Sequence, residues 1–154
     1  MSSVAAFAGE PAAPERARPG SADDLVRDQD RVRIFVVEDD ALSAMMLNDL
    51  LDMWGYVVCG IADNAPAAVR EIERHNPDMV LMDIRLADNT DGVGAAREIR
   101  SRLGIRSVFL TAHTDRTTLA RVREAEPLGL LAKPYSPGQL KETLEQALER
   151  LRSC

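Results

Sequence analysis

The sequence predicts an open, doubly wound α/β sheet, and three observations support this fold class. Five short apolar runs begin near residues 32, 56, 79, 107 and 128. The segments between these runs carry apolar residues at helical spacing, and helix-capping residues stand where several of those segments begin. Five alternations of strand and helix are too few to close an eight-stranded barrel, so we expect helices on both faces of an open parallel sheet.

The apolar runs are the predicted strands. They are IFVV at 34–37, YVVC at 56–59, MVLM at 79–82, VFL at 108–110 and LGLL at 128–131. Because these runs are continuously apolar and do not alternate with polar residues, they are typical of parallel strands that are buried on both faces.

The first predicted helix follows Asp40, which suits the N-cap position. We predict that its core-facing stripe is Leu42, Met46, Leu50 and Trp54, and that the methionines of this helix fill the core. The stripes of the later helices are Ala65, Ala68, Val69 and Ile72; Val93, Ala96, Ile99 and Leu103; Leu119 and Val122; and Leu140, Leu144, Leu148 and Leu151. Asn64 and Ser136 are the expected N-caps of the second and the last helix.

Composition limits the classes of function. The chain has 154 residues with a net charge of −6, which argues against unassisted binding to nucleic acid or to an anionic membrane. Two cysteines, Cys59 and Cys154, form no disulfide framework, and no apolar run is long enough for a membrane span or a signal peptide. We therefore expect a cytoplasmic protein, with a disordered tail over residues 1–30 and one domain over 31–154.

Polar side chains follow four of the predicted strands. Glu38 and Asp39 follow the first strand, Asp83 the third, Thr111 the fourth and Lys133 the fifth. In an open α/β sheet the functional crevice lies at the carboxyl ends of the strands, so these groups are expected to converge. Converging carboxylates repel one another unless a cation is present, and Mg²⁺ prefers oxygen ligands. A lysine and a hydroxyl beside that ion would suit a tetrahedral anion.

These motifs resemble the receiver domains of bacterial two-component response regulators. The resemblance covers residues 32–152 through IFVVEDD (34–40), LMDIRL (81–86), DG (91–92), FLTA (109–112) and LAKPY (131–135). It implies a flavodoxin-like (βα)5 fold with strand order 2-1-3-4-5, Mg²⁺ as the cofactor and a cis peptide before Pro134. The implied roles are Asp83 as phosphoacceptor, Glu38 and Asp39 as the acidic pair for Mg²⁺, Arg85 as a metal ligand through its backbone carbonyl, Thr111 as the switch hydroxyl and Lys133 as the contact to the phosphoryl group.

The resemblance also implies the partners. The phosphoryl donor would be a sensor histidine kinase or a histidine phosphotransfer protein, and the chain would assist only its own phosphorylation and dephosphorylation rather than act as an enzyme. Because the sequence stops soon after the last predicted helix, we expect a stand-alone receiver that signals to another protein, with no direct contact to nucleic acid or membrane. A homodimer is compatible with the resemblance.

Some positions depart from the receiver pattern. Leu130 stands where many receivers have an aromatic residue that moves with the threonine, which argues against the usual aromatic switch. The stretch from Asp83 to Asp91 is one residue longer than in most receivers. Arg85 and His113 flank the expected route of hydrolytic water and could set the lifetime of the phosphorylated state, or could be solvent-facing loop residues without that role.

Two other classes of function stay open from the sequence. A metal-dependent phosphohydrolase of the haloacid-dehalogenase type also combines a nucleophilic aspartate, Mg²⁺ and a lysine, but its DxDx[TV] motif is replaced here by Glu38, Asp39, Asp40 and Ala41. A binding module that keeps the fold and works without phosphorylation is the other alternative.

Overall fold

A computed structural model describes residues 31–153, in which a five-stranded parallel sheet has the order β2-β1-β3-β4-β5. The strands are β1 (Arg33–Val37), β2 (Val57–Ala62), β3 (Met79–Asp83), β4 (Ser107–Thr111) and β5 (Gly129–Ala132). Both the fold class and the strand order are as predicted. The disordered tail predicted for residues 1–30 lies outside the described residues.

Each strand is followed by a helix. The helices are α1 (Ala41–Met53), α2 (Ala65–His75), α3 (Gly92–Leu103), α4 (Arg116–Glu124) and α5 (Pro137–Arg152). The predicted caps are confirmed: the side chains of Asp40, Asn64 and Ser136 accept hydrogen bonds from backbone N–H groups in the first turns of α1, α2 and α5. In the described part of the chain, no helix is both long enough and apolar enough to cross a bilayer.

The core lies on both faces of the sheet. On one face, Phe35 of β1 and Phe109 of β4 join a buried cluster with Ile72, Ile99 and Val122 from α2, α3 and α4. Helices α1 and α5 cover the strands from the opposite face, where Leu47, Leu51, Leu140 and Leu144 are buried. This arrangement leaves the carboxyl ends of the strands as the edge at which side chains of several strands can meet.

Burial of the strands on both faces is confirmed only for the centre of the sheet. Strands β1, β3 and β4 are buried almost throughout, whereas β2 and β5 are largely half-exposed. The prediction was wrong for β2 and β5 because each has a neighbouring strand on one side alone, so its outer flank stays accessible. Leu130 of β5 is accordingly an exposed leucine.

The predicted core stripe of α1 was also wrong. Its buried residues are Ala44, Leu47 and Leu51, none of which belongs to the predicted stripe. Leu42 and Met46 are 65% and 58% exposed, and Met45 and Met53 are exposed as well. Because α1 is apolar on more than one face, the spacing of its apolar residues could not identify the buried face. The methionines of α1 are therefore surface residues, and those of β3 belong to the core.

Candidate metal centre

Three acidic side chains meet at the carboxyl edge of the sheet. Ligand atoms of Glu38, Asp39 and Asp83 all lie within 4.8 Å of one another. Glu38 and Asp39 follow β1, and Asp83 ends β3, which pairs directly with β1 in parallel. Glu38 is 2% exposed and Asp83 is 8% exposed, whereas Asp39 is open to solvent. Glu38 and Asp83 therefore form the buried side of the cluster, and Asp39 forms its solvent-accessible side.

Lys133 reaches this cluster from β5. Its Nζ lies 3.0 Å from Oε1 of Glu38 and 2.9 Å from Oδ2 of Asp83. The backbone N–H of Lys133 donates to the carbonyl of Thr111 at 2.7 Å, and the peptide bond between Lys133 and Pro134 is cis, as expected. Lys133 is thereby attached to β4 while its side chain spans the distance to β3 and β1.

Burial and charge act in opposite directions on these groups. Burial raises the pKa of Glu38 above its ordinary value, although the hydrogen bond from Lys133 opposes that change. Burial alone would lower the pKa of Lys133, but hydrogen bonds to Asp83 and Glu38 and the charges of both acids outweigh it, so this pKa is raised. The ammonium group therefore stays charged and acts as the countercharge inside the cluster.

The donor set of this cluster fits a hard divalent cation. Three carboxylates and one ammonium carry a formal charge of −2, which one Mg²⁺ ion would neutralise. Oxygen is the preferred ligand of Mg²⁺, and the exposure of Asp39 leaves room for the water ligands that this ion usually keeps. Oε2 of Glu38 accepts from the N–H of Asp40 at 3.1 Å, which fixes the orientation of the Glu38 carboxylate.

Thr111 lies at the end of β4 but is engaged with its own loop. The side chain is fully buried, and its hydroxyl oxygen accepts from the N–H of His113 at 2.8 Å and donates to the carbonyl of His113 at 3.1 Å. The structure thus places Thr111 at the predicted edge of the sheet, with its hydroxyl bonded to the β4–α4 loop rather than to the acid cluster.

The chain leaving Asp83 turns back at once toward α3. The backbone of Arg85 pairs with that of Asp91, and the N–H of Gly92 donates to the carbonyl of Ile84 at 2.8 Å. The side chain of Arg85 is exposed. A Cβ atom on Gly92 would overlap the backbone oxygen of Asp83, so only glycine lets α3 approach the end of β3 this closely.

The sequence predicts that Glu38, Asp39, Asp83, Thr111 and Lys133 converge. The structure brings the three acids and Lys133 together, while the Thr111 hydroxyl bonds His113. The packing role of Gly92 was not predicted. The available signal was a glycine at the first position of a helix, directly after an acidic N-cap, where a helix former would otherwise be favoured.

The strand order is that of flavodoxin-like α/β proteins, and carboxylates and a lysine meet at the carboxyl edge of the sheet. The response regulator receiver domain pattern matches residues 34–145, and the chain belongs to this family. Receiver domains are in general signalling modules rather than enzymes. The matched family is thus not the haloacid-dehalogenase class that the sequence left open.

Curated relatives have the same domain within longer chains. The transcriptional regulatory protein PdtaR of Mycobacterium tuberculosis is 38% identical over 120 residues, covering 78% of this chain and 58% of PdtaR. The phyllosphere-induced regulator PhyR of Methylorubrum extorquens is 33% identical over 116 residues, covering 75% of this chain and 43% of PhyR. The chain therefore spans about half the length of these two relatives.

Solved structures agree with the family assignment. The receiver domain of a modulated diguanylate cyclase from Desulfovibrio desulfuricans G20 has a TM-score of 0.73 at 33% identity, covering 79% of this chain and 97% of that one. A CheY-like receiver domain protein from Methanospirillum hungatei JF-1 has a TM-score of 0.73 at 23% identity, covering 80% and 98%, and shows the shared fold alone.

Proposed function

We propose that this receiver domain accepts a phosphoryl group on Asp83, with Mg²⁺ held by Glu38, Asp39, Asp83 and the backbone carbonyl of Arg85. The single observation that carries the proposal is the meeting of three carboxylates with Lys133 at one accessible edge of the sheet. We further propose that the phosphoryl donor is a histidine kinase or a histidine phosphotransfer protein in the cytoplasm.

The residues of the site suit an in-line transfer. An oxygen of Asp83 forms a bond to phosphorus while the bond from phosphorus to the donor's histidine nitrogen breaks, and that nitrogen keeps the electron pair and takes up a proton. When bound, Mg²⁺ would neutralise charge on the phosphoryl oxygens. Lys133, already 2.9 Å from Asp83, would offset the repulsion between the incoming anion and the carboxylate.

A small-molecule donor tests this proposal without the cognate kinase. Incubation with acetyl phosphate and Mg²⁺ is expected to add one phosphoryl group per chain, measured by intact mass, because the site assists its own modification. Replacing Mg²⁺ with a chelator is expected to prevent the addition. The absence of any adduct, or an adduct that forms equally well in chelator, would contradict the proposal. Continuous release of phosphate from small phosphoesters would instead indicate a phosphohydrolase.

An apolar groove adjoins the acid cluster and supports a protein as the donor. It lies between α1 and the loop after β5, has a volume of about 390 Å³, and includes Lys133 in its wall. Its other lining residues include Met46, Leu50, Tyr135 and Pro137. We call it the α1 groove. A donor that brings phosphohistidine to Asp83 must pass next to it, and exposed apolar side chains at such a position are typical of protein interaction sites.

We predict that Met46→Gln slows phosphoryl transfer from a phosphorylated protein donor about tenfold, because apolar contact in the α1 groove is lost. Transfer from acetyl phosphate should stay unchanged, since Met46 is 58% exposed and outside the acid cluster. The measurement is transfer from a panel of purified, autophosphorylated histidine kinases and phosphotransfer proteins. Met53→Gln is the matched control, because Met53 is exposed on the same helix but does not line the groove. Equal rates for the two variants would contradict the role of the groove.

The same site predicts a stability effect for Lys133. The Lys133→Ala variant leaves the buried carboxylate of Glu38 without its countercharge, so the metal-free protein should lose about 2 kcal/mol of unfolding free energy. This figure lies below the usual cost of breaking a buried pair because the Lys133 side chain is 26% exposed. Mg²⁺ should restore most of the loss by supplying the missing positive charge.

Urea denaturation in chelator and in Mg²⁺ measures both parts of this prediction. Lys141→Ala is the control, since Lys141 is the chain's other lysine and lies exposed on α5. Equal unfolding free energies for Lys133→Ala and wild type in chelator would show that Lys133 does not neutralise the cluster.

For the output, we propose that the phosphoryl group on Asp83 draws the Thr111 hydroxyl away from His113. The hydroxyl holds both backbone groups of His113, so its movement would carry the β4–α4 loop with it. Leu130, exposed on the neighbouring strand β5, belongs to the surface that this movement would change for a downstream protein.

A further inference from the structure

The loop between β3 and α3 is a small closed hairpin. Its two sides are joined by the backbone pairing of Arg85 with Asp91 and by the hydrogen bond from the N–H of Leu86 to the carbonyl of Thr90 at 3.2 Å. At its tip, Asp88 and Asn89 have φ values of 60° and 55°. Asp and Asn adopt left-handed backbone more readily than other residues with a Cβ atom, so these residue types suit the tip.

The hydroxyl of Thr90 links the hairpin by hydrogen bonds to the end of the loop between β2 and α2. It donates to the carbonyl of Ala87 at 2.7 Å and accepts from the N–H of Ala65 at 3.0 Å. Ala65 is the first residue of α2, so the N–H group of Ala65 has no partner within that helix. A backbone bond from the N–H of Ala87 to the carbonyl of Asp63, at 2.9 Å, runs beside this contact. The hairpin is thus anchored to the start of α2.

The anchored hairpin continues from the end of β3, where Asp83 lies. Arg85, whose carbonyl we propose as a metal ligand, is on the first side of the hairpin, and Thr90 is on the second side beside Asp91. A carbonyl oxygen coordinates a cation only from a fixed position, and groups that orient a ligand from behind contribute to metal affinity. The contacts of the Thr90 hydroxyl are the backbone groups of Ala65 and Ala87, so Thr90 is outside the proposed ligand set.

We infer that Thr90 is a positioning residue for Mg²⁺ binding, acting through the hairpin that carries Arg85. The inference rests on the proposed function and extends it to a residue outside the ligand set. The hydroxyl is the part of the side chain that makes both contacts, so a variant that keeps the hydroxyl should keep the role, and one that keeps only the shape should lose it.

The test is a Mg²⁺ titration that is monitored through the NMR shifts of the backbone amides. Thr90→Val should weaken Mg²⁺ binding by about tenfold, and Thr90→Ser should restore it. In the metal-free protein, the amides of Leu86 and Ala65 should exchange with solvent faster in Thr90→Val than in wild type, because their loops are no longer joined. Thr143→Val is the control, since it removes a hydroxyl that bonds the carbonyl of Gln139 within α5.

The outcomes separate this inference from the proposed function. If wild type binds Mg²⁺ and Thr90→Val binds it equally well, or if Thr90→Ser is as defective as Thr90→Val, the positioning role is wrong and the proposed function stands. If wild type shows no Mg²⁺-dependent shifts in the acid cluster, the proposed function is wrong and the positioning role fails with it.

Discussion

Asp83→Asn is expected to abolish phosphorylation by acetyl phosphate completely, because the amide lacks the nucleophilic carboxylate oxygen. The substitution keeps the size of the side chain and removes one negative charge from a cluster of three acids, so the fold should persist. Intact mass after incubation with acetyl phosphate and Mg²⁺ measures the result, and circular dichroism verifies the fold. Asp83→Ala provides a second variant that cannot revert to aspartate by deamidation.

Asp49→Asn is the matched control for this experiment. Asp49 is an exposed aspartate on α1, outside the acid cluster, and its variant should accept one phosphoryl group as wild type does. A phosphoryl adduct of unchanged stoichiometry on Asp83→Ala would show that another residue is the acceptor, and the assignment of Asp83 would be wrong.

Gly92→Ala is expected to slow phosphorylation by about 100-fold, although Gly92 contributes no functional group. The added Cβ would overlap the backbone oxygen of Asp83 and lie 3.1 Å from Cα of Ile84. Since both neighbours are backbone atoms, α3 and the end of β3 must separate, which displaces the phosphoacceptor from Lys133. We also expect unfolding free energy to fall by about 1–3 kcal/mol, as for other overpacked positions.

The rate of adduct formation with acetyl phosphate measures this effect at a temperature where the variant is folded. Gly138→Ala is the control, since Gly138 also lies in the first turn of a helix and its added Cβ would meet nothing closer than Ser136 Oγ at 3.9 Å. A wild-type rate for Gly92→Ala would mean that the close approach of α3 is not needed to position Asp83.

Much of this fold could be predicted because the local signals agree with the tertiary structure. The continuous apolar runs identified β1, β3 and β4, and the caps at Asn64 and Ser136 placed the starts of α2 and α5. The site followed from topology: polar residues after parallel strands must share an edge, so residues as far apart as Glu38 and Lys133 meet in space.

The remaining features depend on contacts that a periodic pattern does not record. In α1, apolar residues occupy more than one face, and only the packing of Leu47 and Leu51 under the sheet shows which face is buried. Thr90 resembles an ordinary loop threonine in the sequence, because its partner at Ala65 is 25 residues away. The same holds for Gly92, whose role depends on how closely α3 approaches the backbone of Asp83.

A crystal structure grown with Mg²⁺ and beryllofluoride, a stable mimic of a phosphoryl group on a carboxylate, tests the proposed phosphoacceptor site most directly. We expect beryllofluoride on an oxygen of Asp83, Mg²⁺ beside Glu38 and Asp39, and Lys133 in contact with a fluoride. An intact and accessible acid cluster that holds neither beryllofluoride nor Mg²⁺ would contradict this expectation.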